Sequence, residues 1–514
     1  MKKAFIFLLI LALLTGCQSG QRETPTRDKS SVTVVMDPAS EPEAGFDPAF
    51  GWGAGEHVHE PLIQSTLTVT NPDLTIGYDL ATSMEASGDG MTWTVTIRDD
   101  VKFTDGEPLT AADVAFTYNT VKAASSVNDF TMLGHAEAAD RTIVVFHMVR
   151  PFSIWPYTMA SVGILPEHAY DPTVYGSNPI GSGRYVLKQW DRGQQVILEA
   201  NPDYYGGVPR MERMTILFME EDAAFLAVQA GQADAAYTSA AYSDQGVKGY
   251  SLLAVHTVDN RGVNLPVAMA SPTVELPVRQ AINMGIDRQA MIDHVLNGYG
   301  TPAYSVCDGL PWYSPVNEVE YDPEGAKALL DEWGWSPGPD GIRALGGTRL
   351  QLTIHYIAGD SVRQGLAAEL ANQLRELGIG ADIKGVGWDT AYTDALSSPL
   401  IWGWGAHTPM ELYNIYHTDD PDGYSARYSP YSCPAADELM DAALACPDLE
   451  ESYALWQSAQ EEIAGDVPWV WLVNVDHLYW VRDGLEVAEQ KIHPHGHGWS
   501  IVNNVDQWSW TSFS

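Results

Sequence analysis

The stretch Phe103-Thr-Asp-Gly-Glu-Pro-Leu-Thr-Ala-Ala-Asp-Val-Ala-Phe116 holds a tight turn and a helix start in close succession. Asp105-Gly106 marks the turn, since glycine reaches backbone angles that other residues avoid. Thr110 stands where an N-cap belongs, and Asp113 lies in the first turn, where a carboxylate suits the positive end of a helix. The spacing predicts a helix over Ala111–Lys122. Just upstream, Met91–Ile97 alternates apolar and polar residues, which predicts a half-buried strand, and Asp99 and Asp100 mark the turn after it. Arg141–Met148 reads as another strand. Farther out, Val32–Met36 is a short β-prone run, and Thr215–Met219 is a strand followed by a helix over 223–230 that Gly231 closes.

After Asn260 the pattern restarts. Val278–Asn297 reads as a long helix with a break near Gly285, ended by Gly298. Pro323 sits where proline suits a helix N-terminus, ahead of Glu324–Trp333. Leu350–Ile357 is a strand, Ser361–Leu377 an amphipathic helix capped by Gly378, and Ala381–Val386 a further strand. Strand–helix–strand spacing of this kind predicts an α/β lobe with a mixed sheet. The 514 residues exceed what one hydrophobic core usually organises, and the restart places a domain boundary near residue 260.

The N-terminus supplies an address. Lys2 and Lys3 precede the apolar run Ala4–Leu14, which is too short for a spanning helix of about 20 residues and reads as a signal segment, residues 1–16. It ends in Leu14-Thr15-Gly16-Cys17, which resembles a bacterial lipobox; the alternative is an ordinary signal peptide with a chance cysteine. Residues 17–31 are polar and aperiodic, as a flexible tether should be. The mature chain is thus expected outside the cytoplasm, lipid-anchored through Cys17. Lys and Arg number 28 against 67 Asp and Glu, a net charge of −39, which excludes nucleic acid and anionic membrane as electrostatic partners. Three further cysteines, Cys307, Cys433 and Cys446, cannot all pair with one another. A helix between Cys433 and Cys446 would hold those two about 18 Å apart, at ~1.5 Å per residue, so only a bridge involving Cys307 stays open.

Phe103–Phe116 resembles the signature of the peptide/nickel-type family, family 5, of ABC transporter substrate-binding proteins. Val278–Arg288 with Asn297–Ala303, then Tyr321–Leu330, then Ala435–Asp441 with Gly465–Trp469 are similar to later blocks of the same family, in its order. The resemblance implies a two-lobed, periplasmic-binding-protein-like α/β fold of mixed sheets joined by a hinge. Lobe I would span 32–260 with a subdomain near 65–165, lobe II 261–474, and 475–514 would return to lobe I. It also implies a solute held between the lobes, a permease–ATPase complex as partner, and no catalysis.

Candidate ligand contacts follow from the same comparison. The glycine-rich loop Phe46–His57 follows the first strand, and its Phe50 and Trp52 are candidate cleft walls. Trp402-Gly-Trp-Gly-Ala-His407 is similar to the Trp-x-Ala-Asp loop of peptide-binding relatives, with Trp404 and Ala406 matching and His407 in place of the aspartate. A neutral imidazole cannot partner an ammonium group as a carboxylate does, but it is a common metal ligand. His493, His495 and His497 alternate, so an extended chain would turn them to one side as a second metal candidate. His57 and His59 alternate too. Trp388, Arg363 and Arg427 are candidate cleft residues for a carboxylate-bearing solute.

The leading function is therefore solute capture for import, of a short peptide or of nickel or another transition metal, free or chelated, with no cofactor required. An oligosaccharide is the alternative ligand. A secreted hydrolase lacks its motifs, because His59-Glu-Pro-Leu-Ile63 fails HExxH and Gly181-Ser-Gly183 fails GxSxG. A surface adhesion or sensor protein is the third class.

Overall fold

Ser31–Met36 lies at the centre of a seven-stranded sheet in the computed structural model, which describes residues 28–53, 62–124, 130–267, 271–418, 430–495 and 498–511. The strand pairs in parallel with Arg213–Phe218 on one side and Ala235–Thr238 on the other. Val32, Val34, Val35 and Met36 are all buried, as a strand covered on both faces requires. The hairpin Tyr185–Asp191/Gln195–Ala200 extends the sheet beyond Arg213–Phe218. At the other edge, His477–Arg482 lies antiparallel between Ala235–Thr238 and Tyr250–Val255. A strand from late in the chain thus completes a sheet begun near its start.

A smaller, four-stranded antiparallel sheet is inserted in this unit, in the order Ala81–Ala86, Thr92–Ile97, Ile143–Met148, Leu133–Ala138. The helix Ala111–Ala124 covers one face through Val114, Tyr118 and Val121. Its start differs in detail from the sequence reading. Asp113 is the capping acceptor, taking the Thr110 N–H at 2.9 Å and the Thr110 hydroxyl at 3.0 Å, as the third residue of a capping box does. Its other oxygen accepts the Glu167 N–H at 3.0 Å.

The second half of the chain builds a four-stranded sheet in the order Gly300–Pro302, Trp469–Val475, Asn260–Asn264, Ile401–Trp404. Gln351–Ile357 and Gly380–Val386 pair in parallel beside it, linked through a His355–Leu400 bridge. The helices Leu276–Met284, Arg288–Val295, Pro323–Glu332 and Ser361–Glu376 pack on a core that includes Val278, Ile282, Leu370 and Leu472. The break expected near Gly285 is present, and it divides 278–297 into two helices, Leu276–Met284 and Arg288–Val295. Asp287 caps the second by accepting from Ala290 N–H at 2.9 Å, and Gly285 packs so closely on Leu377 that a methyl there would lie 2.5 Å from its Cδ1. Cys307, Cys433 and Cys446 are free thiols. Cys307 Sγ donates to Gln460 Oε1 at 3.4 Å rather than bridging, and the other two flank the helix Pro434–Ala445.

The chain passes from the first sheet to the second between Val255 and Asn260 and returns between Val475 and His477. Thr257 Oγ1 donates to the Val475 carbonyl at 2.7 Å, and Val475 N–H donates to the Asp259 carbonyl at 2.9 Å. A third segment joins them: Val258 N–H donates to the His493 carbonyl at 2.9 Å, and His493 N–H to that of His256 at 3.0 Å. Asp259, Val475, His477 and His493 of these crossings line the site.

Candidate binding cleft

A cavity of about 920 Å³ is lined by the seven-stranded sheet and the helix Glu221–Gln229, by the sheet that holds Asn260–Asn264 and Ile401–Trp404, and by the inserted unit. Its most chemically marked wall is Ile401–Trp404. Residues alternate along a strand, so Trp402 and Trp404 share one face; their rings stack 5.9 Å apart at 19°. Trp388 and Tyr392, four apart on the helix Trp388–Asp394, continue the aromatic panel against Trp402 at 6.2 and 5.8 Å. Both are about half exposed, at 46% and 48%, so they stand at the mouth.

Between Trp402 and Trp404, Gly403 leaves room for two arginines. Gly403 is the cross-strand partner of Arg261. A methyl at Gly403 would lie 2.7 Å from Arg363 Nη2 and 2.9 Å from Arg261 Nη1, so both guanidinium groups crowd over this one glycine. Arg363 enters from the start of the helix Ser361–Glu376, where Asp360 caps the helix through the Arg363 N–H at 2.8 Å and also pairs with its guanidinium. Arg363 Nε and Arg261 Nε are enclosed without a protein partner.

Arg261 pairs with Asp259, two residues earlier and on the same side of the chain. Both are buried. Burial alone would raise the Asp259 carboxyl, but Arg261, His495 and His477 hold it well below the usual carboxylate range. Its oxygens meet His495 Nδ1 at 2.5 Å and His477 Nε2 at 3.3 Å.

The loop after the strand is held by Glu411, whose two oxygens accept the Ala406 N–H at 2.7 Å and the Gly405 N–H at 3.2 Å. Gly405 is required here: its φ is +145°, and a side chain would strike the Val258 carbonyl. Burial pushes the Glu411 carboxyl up to about 7, against the pull of those two amides. A carboxyl raised on folding stabilises the protein fully below its unfolded value, and that share is lost as pH rises through about 7. Glu411→Gln is expected to remove this share of the stability difference between about pH 5 and about pH 8, read as the change in Tm.

The same loop carries His407. Burial, and then the neighbouring Lys491, push its imidazole down to about 3, against the pull of the Ile492 backbone. The ring is neutral at physiological pH, and its Nε2 is enclosed with no protein partner.

Of the residues singled out in the sequence, Trp388, Trp402, Trp404, His407, Arg363, His493 and His495 line the cavity. His493 and His495 do not converge on one point. The bridge between His493 and Thr257 buries the His493 ring, whose Nδ1 faces His477 Nδ1 at 3.3 Å and whose Nε2 faces Gln490 at 3.0 Å, while His495 turns to Asp259. Phe50 and Trp52 are not cleft walls. The turn Pro48–Phe50, with Gly51 and Gly53 at positive φ, folds Trp52 under the sheet, edge-on to Phe46 at 4.6 Å and to Trp499 at 5.0 Å. Phe50 is 42% exposed, in a shallow depression beside Phe116 and Tyr170. Cys17, His57, His59, Arg427 and His497 lie outside the described residues. Arg261, Asp259, His477 and Glu411 are site residues that the sequence reading did not single out. A signal was available in Asp259-Asn-Arg261, opposite charges two apart at the start of a strand.

Comparison with known proteins agrees with this architecture. Protein XP55 of Streptomyces lividans is 32% identical over 480 residues, covering 88% of this chain and 86% of that protein. The oligopeptide-binding protein AppA of Bacillus subtilis is 26% identical over 535 residues, covering 98% and 97%. The crystal structure of NikZ from Campylobacter jejuni in complex with Ni(L-His) matches 94% of this chain and 100% of its own, with a TM-score of 0.76 at 22% identity. Residues 1–18, which include Cys17, match the prokaryotic membrane lipoprotein lipid attachment site, so the protein is an extracytoplasmic lipoprotein. With the model for the middle region of the family matching from residue 75 to residue 426, around a cleft between two α/β lobes, the chain belongs to the bacterial extracellular solute-binding proteins, family 5.

Proposed function

We propose that this protein is the capture component of an ABC importer, anchored by lipid at Cys17, and that it takes a short peptide or a nickel chelate into the cleft for delivery to a permease–ATPase complex. The two lobes would be residues 32–260, with a subdomain near 65–165, and 261–474, with 475–514 returning to the first. The carrying observation is the pair Arg261 and Arg363 crowded over Gly403, in a cavity that Trp402 and Trp404 also line. Two guanidinium groups in a partly dry cleft suit a carboxylate, which accepts charge-assisted bonds in a fixed fork. Across the cavity stand Asp37 and Glu221, the latter with an enclosed, unpartnered Oε1, which suit an amine. A solute with both groups bridges the walls and favours closure, because it gains contacts only in the closed form.

The nickel reading rests on His407 Nε2, a neutral, enclosed lone pair facing the same cavity. Thermal denaturation with short peptides, Ni²⁺, Ni²⁺–histidine and oligosaccharides, with and without chelator, separates the candidates. A true ligand at 100 times its Kd adds about 2.7 kcal/mol. His407→Ala is expected to abolish the response to Ni²⁺–histidine and to leave the peptide response. If no carboxylate-bearing solute raises the Tm, the capture reading fails in this form.

A further inference from the structure

The inserted four-stranded sheet carries a cluster that plays no part in the cleft. On its solvent face, His135 and Glu137 from Leu133–Ala138 stand beside His147 from Ile143–Met148, and none of the three is among the residues lining the cavity. We propose that His135, Glu137 and His147 form a surface binding site for a first-row divalent cation such as Zn²⁺.

The alignment depends on a bulge. Ala136 pairs with Phe146 and Leu133 with Met148, so the outer strand holds one residue more than its partner between those pairs; Gly134 is the extra residue, and His135 falls opposite His147. A methyl at Gly134 would lie 2.8 Å from the His147 carbonyl oxygen, so the bulge requires glycine. Lys122, from the helix behind the sheet, donates to the Gly134 carbonyl at 2.7 Å and to that of Leu133, which pins the bulge from below. With the register set, His135 and Glu137, two apart, point to the same face.

The result is a nitrogen–nitrogen–oxygen donor set. The two imidazole rings lie parallel, 4.4 Å apart at 13°, and His147 Nε2 meets Glu137 Oε1 at 3.1 Å. The candidate ligand atoms all lie within 4.8 Å of one another. Zinc–nitrogen bonds of about 2.0–2.1 Å place two imidazole nitrogens roughly 3.3 Å apart around a tetrahedral ion, so small side-chain rotations suffice. His135 and Glu137 are exposed and His147 half-buried, which leaves that freedom and an open position for water. Two imidazoles and a carboxylate suit Zn²⁺, Ni²⁺ or Cu²⁺ over Ca²⁺ and Mg²⁺, which prefer all-oxygen shells.

Equilibrium dialysis of the purified protein against Zn²⁺ tests this, with Co²⁺ absorbance as the spectroscopic reporter. His147→Ala is expected to remove one bound equivalent together with the Co²⁺ d–d bands. Glu137→Gln should weaken that equivalent by at least about tenfold, the scale on which even outer-shell partners act. The Tm without metal checks that each variant stays folded. His407→Ala, which alters the cleft, should leave this equivalent intact, so the surface site and the nickel reading of the cleft fail separately. Zn²⁺ stoichiometry and the Co²⁺ spectrum both unchanged in His147→Ala would overturn the proposal, as would loss of the equivalent in His407→Ala instead.

Discussion

Replacing Arg261 by leucine is expected to destabilise the protein by about 3–5 kcal/mol, the usual scale for leaving one member of a buried ion pair alone. Asp259 is 5% exposed and Arg261 8%, so solvent cannot replace the lost partner. Urea unfolding followed by tryptophan fluorescence measures the loss. The pH dependence has a definite sign. A carboxyl whose value is depressed on folding contributes fully above its unfolded value of about 4 and loses that contribution as pH falls through the folded value. Without Arg261 the Asp259 carboxyl titrates higher, so the acid limb of the stability curve moves to higher pH. Asp259→Asn in the same chain removes the stranded charge and should recover a large part of the loss. An unchanged urea midpoint in Arg261→Leu would show that the pair does not hold the crossing between the lobes.

Arg363→Ala acts on binding instead. The charge-assisted bond it removes is worth about 1.5–3 kcal/mol, so affinity for a carboxylate-bearing solute should fall by about ten- to a hundredfold. The helix it starts survives, because Asp360 still caps through the backbone N–H of residue 363. The variant is therefore expected to unfold near the wild-type midpoint without ligand and to lose most of the ligand-induced rise. Arg363→Lys keeps the charge but not the planar fork, and should recover only part of the affinity by calorimetric titration. Full affinity in Arg363→Ala would remove the carboxylate anchor from the proposed mode of capture.

Much of the local structure was legible in the residues. Thr92–Ile97, Gln351–Ile357 and Ser361–Glu376 follow from periods of two and 3.6 residues, and Gly231, Gly298 and Gly378, all at positive φ, mark helix ends as expected. The loop 402–407 could be placed in the cleft because its pattern was recognisable. The glycine-rich turn at 46–53 misled for a physical reason: glycine permits a close approach to a ligand and a sharp reversal equally well, and here the reversal puts Trp52 into the core. Alternation of His493 and His495 predicts one shared face only for a straight strand. The segment instead pairs its backbone with residues 256–258 and sends the two rings to different partners.

Local strands and helices, the export address ending at Cys17 and the family to which the chain belongs can all be read from the residues in order. These depend on short-range spacing and on motifs contiguous in the chain. It takes the folded chain to show that Arg261 and Arg363, 102 positions apart, share the space above Gly403, and that Asp259 draws His477 and His495 to one carboxylate. Those meetings are set by strand register between distant segments, and a displacement of one residue would turn each side chain to the opposite face.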